Sequence, residues 1–277
     1  MKPFLSTKDF MLSQEVFELY YHQELDMLET KPKPTDLGKY YSSEAYISHS
    51  DGKHSFFEKV YQYAKQFTIR KKVRLLRKYR GIQSKLLDLG AGTGDFLSHA
   101  KAKNWHINGV EPNSRARALA FKKGVVLNKE WDSLQGNSFD VITLWHVLEH
   151  LPDLKERIEA IVELLDPNGT LIVAVPNFKS FDAKYYKAFW AGYDVPRHLW
   201  HFSKDAISQL FETHGMDTIK IKPMWLDAFY VALLSERYKK RNFPWLRALS
   251  IGAWSNLLGL FTKEYSSHCY VLQKAQR

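Results

Sequence analysis

Cysteine is almost absent from this chain: Cys269 is the single one in 277 residues. That excludes an internal disulfide and any metal site built from several thiolates, and it fits a reducing cytoplasm. Cys269 itself reads as a small buried hydrophobe. No hydrophobic run is long enough to span a bilayer. The longest, Trp245 to Phe261, has 17 residues and is interrupted by Arg247, Ser250, Ser255 and Asn256, which leaves room for it on a membrane surface but not across one. The first residues, MKPFLSTKDF, lack an apolar core and a small-residue cleavage site, so no signal peptide is expected. Internal repeats and low-complexity tracts are missing too. Acids are nearly missing from Lys53 to Arg80, where ten bases face the single Glu58 and give the segment +9 of the chain's +10. A basic helix of this kind can meet nucleic acid or an anionic membrane, or present a solvated face.

What is present describes a globular protein: 45% hydrophobic, 14% aromatic and 25% charged residues. The stretch from Lys85 to Gly94, K-L-L-D-L-G-A-G-T-G, reads as a short buried strand ending in a glycine turn before a helix. At Gly90, Gly92 and Gly94 the backbone can approach a ligand closely. This is the pattern of a nucleotide-type cofactor site. A dinucleotide fingerprint spaces its glycines G-x-G-x-x-G over a pyrophosphate; here the spacing is G-x-G-x-G. Asp88, two residues before the first glycine, would meet an ammonium better than a pyrophosphate, which favours a nucleoside carrying an amino acid. Glu111, in H-I-N-G-V-E-P, can accept from both ribose hydroxyls, a role that suits NAD equally.

With three further motifs, the stretch resembles the class I S-adenosylmethionine (SAM) dependent methyltransferases. They are G-V-E-P, F-D-V-I-T-L-W-H-V-L-E-H-L-P-D from Phe139, and L-D-P-N-G-T-L-I-V-A-V-P-N from Leu165, in the family's order across about Lys85 to Asn177. Within the class, L-E-H-L-P-D and Y-D-V-P-R-H-L-W-H-F resemble the branch containing ubiquinone-biosynthesis O-methyltransferases. The resemblance implies an α/β, Rossmann-like sheet of seven strands in the order 3-2-1-4-5-7-6, the last strand antiparallel, with SAM as cofactor. It implies cofactor contacts from Asp88, Gly90, Ala91, Gly92, Thr93, Gly94, Glu111 and Pro112, and from the backbone at Leu144 and Trp145. Adenine would be read after Leu127, at Asn128 and Lys129.

In chain order, residues 1–52 read as an N-terminal extension with a hairpin, Glu15–Tyr21 against Leu25–Thr30, before K-P-K-P breaks the pattern. In relatives this region resembles a small zinc ribbon; His22 and Leu25 stand where its cysteines would be, so no metal is expected there. Residues 53–81 read as a basic amphipathic helix from about His54 to Tyr79, with Val60, Tyr63, Phe67, Val73 and Leu76 in its stripe. The methyltransferase domain is expected over 82–277. Strands at Lys85–Leu89, His106–Val110, Val125–Leu127, Phe139–Leu144 and Thr170–Val175 alternate with helices at about Thr93–Lys103, Ser114–Lys123 and Leu154–Leu165. A helix over Lys204–Thr213 and strands over Asp217–Pro223 and Ser267–Gln273 complete it. Such alternation implies a parallel sheet with ligands at the carboxyl ends of its strands. Between the last two strands, residues 225–265 insert two apolar helical stretches around a basic turn. They read evenly as a cap over the acceptor or as packing, with a homodimer interface or a peripheral membrane contact as further roles.

Methyl transfer from a sulfonium is an in-line displacement, catalysed largely by alignment in a dry pocket. An aromatic face can hold the sulfonium; Trp145 is the candidate, with core packing its equal alternative. A phenol has a pKa of roughly 10, so its methylation gains from a base such as histidine. His146, His150, His198 and His201 fall near the expected ligand face, and His146, His198 and His201 are the candidate catalytic groups. The relatives' E-x-x-E-H, associated with a divalent metal, reads here His146-Val-Leu-Glu149-His150; no metal is assigned, and His146 gains interest as a base. Trp190, Tyr193, Arg197 and Trp200 are candidate substrate contacts, with Arg197 anchoring a carboxylate or phosphate. Alternatively Asp194 and Arg197 pair and pin the loop. The reading is thus a SAM-dependent methyltransferase for a small aromatic, quinone-like or lipid-like acceptor, expected to act on oxygen. An RNA methyltransferase using the basic helix and a SAM-binding protein without catalysis are the alternatives, and a nucleic-acid partner is not expected. An NAD oxidoreductase is disfavoured by the glycine spacing and Asp88.

Overall fold

The computed structural model describes residues 2–41, 56–134 and 136–275. Its strands are β1 (Pro3–Lys8), β2 (Val16–His22), β3 (Met27–Lys31), β4 (Lys85–Leu89), β5 (His106–Val110), β6 (Phe139–Trp145), β7 (Leu165–Pro176), β8 (Trp200–Phe202), β9 (Met216–Pro223) and β10 (Ser267–Lys274). Its longer helices are α1 (Phe56–Leu76), α2 (Asp95–Lys101), α3 (Ser114–Lys122), α4 (Leu154–Leu164), α5 (Phe181–Tyr186), α6 (Lys204–Glu212), α7 (Asp227–Tyr238) and α8 (Pro244–Thr262). Among the described residues no helix is long and apolar enough to cross a membrane.

Six strands form one sheet in the order β5-β4-β6-β7-β10-β9. This is the expected order without its third strand. β4 is buried from Leu86 to Leu89, as a strand covered on both faces must be, and it pairs in parallel with β5 and β6. Leu86, Leu87, Val141 and Ile142 are wholly buried there. The strand expected over Val125–Leu127 is reduced to a single bridge between Val110 and Asn128. Val125 is buried but Val126 is 76% exposed, so only part of this apolar segment packs against the sheet.

The residues group into two compact units. One comprises Glu44–Trp145, Lys155–Val173 and Val271–Arg277; the other comprises Met1–Ser43, His146–Leu154 and Ala174–Tyr270. In the first, α1 buries Ile69, Val73 and Leu76 at helical steps, whereas Tyr63 and Phe67 face outward. The expected stripe is therefore narrower at its N-terminal side. The expected start at His54 lies outside the described residues.

In the second unit β1, β2, β3 and β8 form a four-stranded sheet. The expected hairpin is β2 with β3, antiparallel with Tyr20 opposite Glu29. β3 pairs antiparallel with β8, Leu28 opposite His201. The N-terminal strands thus share a sheet with residues some 170 positions later and are not a separate extension. Phe17, Leu19, Leu28, Tyr186, Trp190 and Tyr193 form a core with Ala232 of α7 and Ala248 of α8. Asp182 is wholly buried. It accepts from Ser255 Oγ at 2.7 Å, Ser266 Oγ at 2.8 Å and the Trp190 indole N–H at 2.7 Å.

Candidate functional site

The glycine turn leaves β4 at Leu89. Gly92 has φ +53°, and a Cβ built on it would meet nothing within 4 Å, so open space stands over the turn. Gly94 differs: at φ +74° its Cβ would lie 2.8 Å from that of Ala120, so its role is the close packing of α2 on α3 rather than approach to a ligand. Glu111 lies beside the turn and accepts from the Gly92 N–H at 2.8 Å and the Asn113 N–H at 2.9 Å. A carboxylate offers about four lone-pair sites, so ribose hydroxyls still find acceptors there. Asn128 is held by main-chain bonds, its N–H to Gly109 and its carbonyl from Glu111. That fixes the start of the segment expected to read adenine.

Asp88 is buried on β4, and Thr143 Oγ1 of β6 donates to it at 2.6 Å. Burial pushes its carboxyl up to about 7, against the pull of the Thr143 bond and of Lys72. A carboxylate half-protonated at neutral pH gains from a cationic ligand. Trp145 ends β6 in edge contact with Phe96. Its ring face does carry a cation, though one of the chain's own: Lys72 Nζ lies 4.2 Å from the centroid. The indole N–H is buried without an acceptor. A second base of α1, Lys65, pairs with Asp95 at 2.8 Å, and Lys123 pairs with the same acid at 2.9 Å. The basic helix thus spends part of its charge inside this unit.

His146, the next residue after Trp145, begins the other group. It sits at φ +58°, a sparsely populated conformation for a residue with a Cβ. Its Nε2 is 3.0 Å from Asp227 Oδ2 of α7 and its Nδ1 3.4 Å from Glu149 Oε1. Burial opposes protonation, but the two carboxylates outweigh it and hold the pKa up at about 9. The reading of His146 as a free base therefore does not hold: at neutral pH it is an imidazolium with both nitrogens engaged.

Glu149 is wholly buried, and neither of its oxygens has a hydrogen bond. Burial raises its pKa, but His146 and the neighbouring histidines prevail and keep it lowered, hence ionised. One ligand atom each from Glu149, His150 and His198 lies within 4.8 Å of the others. His150 Nδ1 is 2.9 Å from the Arg197 carbonyl, and His198 Nδ1 is 2.9 Å from the Gly192 carbonyl. A carbonyl can only accept, so both Nδ1 atoms carry a proton. Burial first, then His198, pulls the His150 pKa down to about 4. The result is an anionic oxygen pair beside two imidazoles, a donor set that fits a divalent cation.

The remaining expected site residues are structural. Arg197 is 1% exposed, with Nε and Nη2 on Asp194, Nη2 also 2.9 Å from Asp9, and Nη1 on the Tyr40 carbonyl. One Nη1 N–H is left over on a side chain that is otherwise tied and buried, and the alternative in which it pins the loop is the one found. Trp190 and Tyr193 lie in the core. His201 is buried in β8 with Nε2 2.9 Å from Thr30 Oγ1. Trp200 donates its indole N–H to the Leu151 carbonyl. Sequence reasoning missed Asp227, a single charge in an apolar stretch, and Lys72, one of the ten bases between Lys53 and Arg80.

The family model described as a methyltransferase domain matches residues 61–221, more than half of the chain. The chain belongs to the methyltransferase-domain family. The class expected from its motifs, SAM-dependent methyltransferases with SAM as cofactor, therefore stands. This methyltransferase is 30% identical over 103 residues to the ubiquinone biosynthesis O-methyltransferase of Aeromonas salmonicida, covering 34% of the chain and 43% of that protein. To the protein of the same name from Histophilus somni it is 34% identical over 110 residues, covering 34% and 46%. The chain thus spans less than half the length of these two relatives. Magnesium protoporphyrin IX methyltransferase from Synechocystis, solved with bound SAH, shares the fold with a TM-score of 0.57 at 15% identity, covering 86% of this chain and 97% of that one.

Proposed function

We propose that this methyltransferase transfers the methyl group of SAM to an acidic hydroxyl of a small aromatic, quinone-like acceptor. The observation that carries the reading is the cluster of Glu149, His150 and His198, a buried carboxylate with no hydrogen bond beside two imidazoles held through Nδ1. These three residues would hold a divalent cation, which there would lower the pKa of a hydroxyl that is otherwise mostly neutral at pH 7. When bound, SAM supplies the electrophilic methyl. Asp88 then neutralises its ammonium and Glu111 accepts from its ribose. As an imidazolium, His146 does not take the acceptor's proton, which the acidified hydroxyl would lose to solvent before transfer; it balances the charge of Glu149 and holds that carboxylate toward the cluster. The names of the curated relatives support an oxygen acceptor of this kind.

The test is transfer of isotope-labelled methyl to a catechol, a simple phenol and an aromatic amine, with and without a chelator, alongside titration of SAM. Transfer to the catechol oxygen is expected, lost with the chelator and in Glu149→Gln while SAM still binds. Chelator-insensitive transfer, or an amine methylated as fast as the catechol, would sink the proposal.

A further inference from the structure

α8 is turned inside out. Its buried positions are the small or polar Ala248, Gly252, Ser255, Asn256 and Gly259. Its bulk faces outward: Leu246, Leu249, Trp254, Leu257, Leu260 and Phe261 are between 43% and 79% exposed. The cause lies on the inner face. A Cβ on Gly252 would sit 2.6 Å from the Phe229 ring of α7, and one on Gly259 2.6 Å from the Tyr265 ring. Small residues are what let α8 lie this close, and the large ones are left outside. Leu246, Leu249, Ala253, Leu257 and Leu260 follow one another at three- and four-residue steps, all exposed, which makes a continuous apolar strip rather than scattered exposure.

Charge decides what covers the strip. From Arg237 to Lys263 the chain has six bases and no acid. Near the turn between α7 and α8, Lys8, Arg237, Lys239 and Lys240 line a groove of about 690 Å³ with Phe10 and Tyr238, and no acidic side chain joins them. A second copy laid on this face would set like charges against each other. An anionic bilayer sets opposite ones, and Trp245 and Trp254, 41% and 51% exposed, are side chains that settle at its headgroup boundary.

We infer that the α7–α8 hairpin docks on the surface of an anionic lipid membrane, the apolar strip of α8 entering the headgroup–acyl boundary while the flanking lysines and arginines meet lipid phosphates. The helix lies in the plane of the membrane, since it is too short and too interrupted to cross.

The experiment is co-sedimentation of the full chain with sucrose-loaded vesicles of phosphatidylcholine alone or with one third phosphatidylglycerol, with tryptophan fluorescence recorded in parallel. Expected are binding to the anionic vesicles with a blue shift, weakening at high salt, and at least about tenfold weaker partition in Leu249→Gln/Leu257→Gln. Both leucines are exposed, so this variant keeps its fold, as its circular dichroism will show. Phe121→Gln, 70% exposed in the other unit, is the control that binds as wild type. Absence of binding by folded protein, equal binding to neutral and anionic vesicles, or binding unmoved by the double variant would each overturn the inference. So would a dimer in sedimentation velocity that Leu249→Gln/Leu257→Gln dissociates while vesicle binding is absent.

Discussion

Around the glycine turn, every acid already has a donor: Glu111 takes the N–H groups of Gly92 and Asn113, and Asp88 takes the hydroxyl of Thr143. In the histidine cluster the central acid, Glu149, has none, and its charge is answered by His146 across 3.4 Å and by the neighbouring histidines. The first arrangement is complete in itself and offers spare lone pairs to a ligand. The second is incomplete without one. A region whose polar groups are satisfied binds what its shape admits, whereas a region with an orphaned charge selects its ligand by charge.

The difference can be broken from either side. Glu149→Gln removes the orphaned charge, and we expect methyl transfer to fall by about 100-fold or more while SAM affinity stays within about twofold. Glu111→Ala should do the reverse: SAM binds about 30-fold more weakly, near 2 kcal/mol for the lost charge-assisted bonds, as titration calorimetry will read. If both variants lose SAM binding alike, the two regions are not separable.

A pH series sharpens the contrast. The Asp88 pKa is raised to about 7 in the folded protein, and a cationic ligand needs the carboxylate. SAM affinity should therefore be full above pH 7 and fall by about tenfold from pH 8 to pH 6, a slope that Asp88→Asn flattens. His146 gives the smallest effect. Its pKa is raised, so the stability it contributes is full below the ordinary histidine range and is lost as pH rises through about 9. Thermal melts should drop by a few degrees between pH 7 and pH 10 in the wild type, and less in Asp227→Asn.

These expectations rest unevenly on the sequence. β4 and β6 were legible because buried parallel strands are short apolar runs, β5 (H-I-N-G-V) from its place in the strand–helix alternation, and the glycine turn because its spacing is local. β8 was not: Trp200–Phe202 is three residues long and is a strand only because β3 lies beside it. The fate of Arg197 depended on Asp9, 188 residues away, so an arginine that local pattern assigns to a substrate became a buried tie. The protonation of His146 likewise turned on Asp227, in an insertion the motif does not include. Local pattern recorded which residues carry charge; long-range pairing decided which of those charges remain for a ligand.

Asp182 also governs something beyond its own bonds. It is fully buried, and one of its three donors is Ser255 of α8. Rolling α8 about its axis to hide its leucines would withdraw that hydroxyl and leave a buried carboxylate short of a partner, a loss on the order of 1–3 kcal/mol. The acid therefore acts as a rotational stop, and the greasy outer surface of α8 is dictated from the interior of the protein.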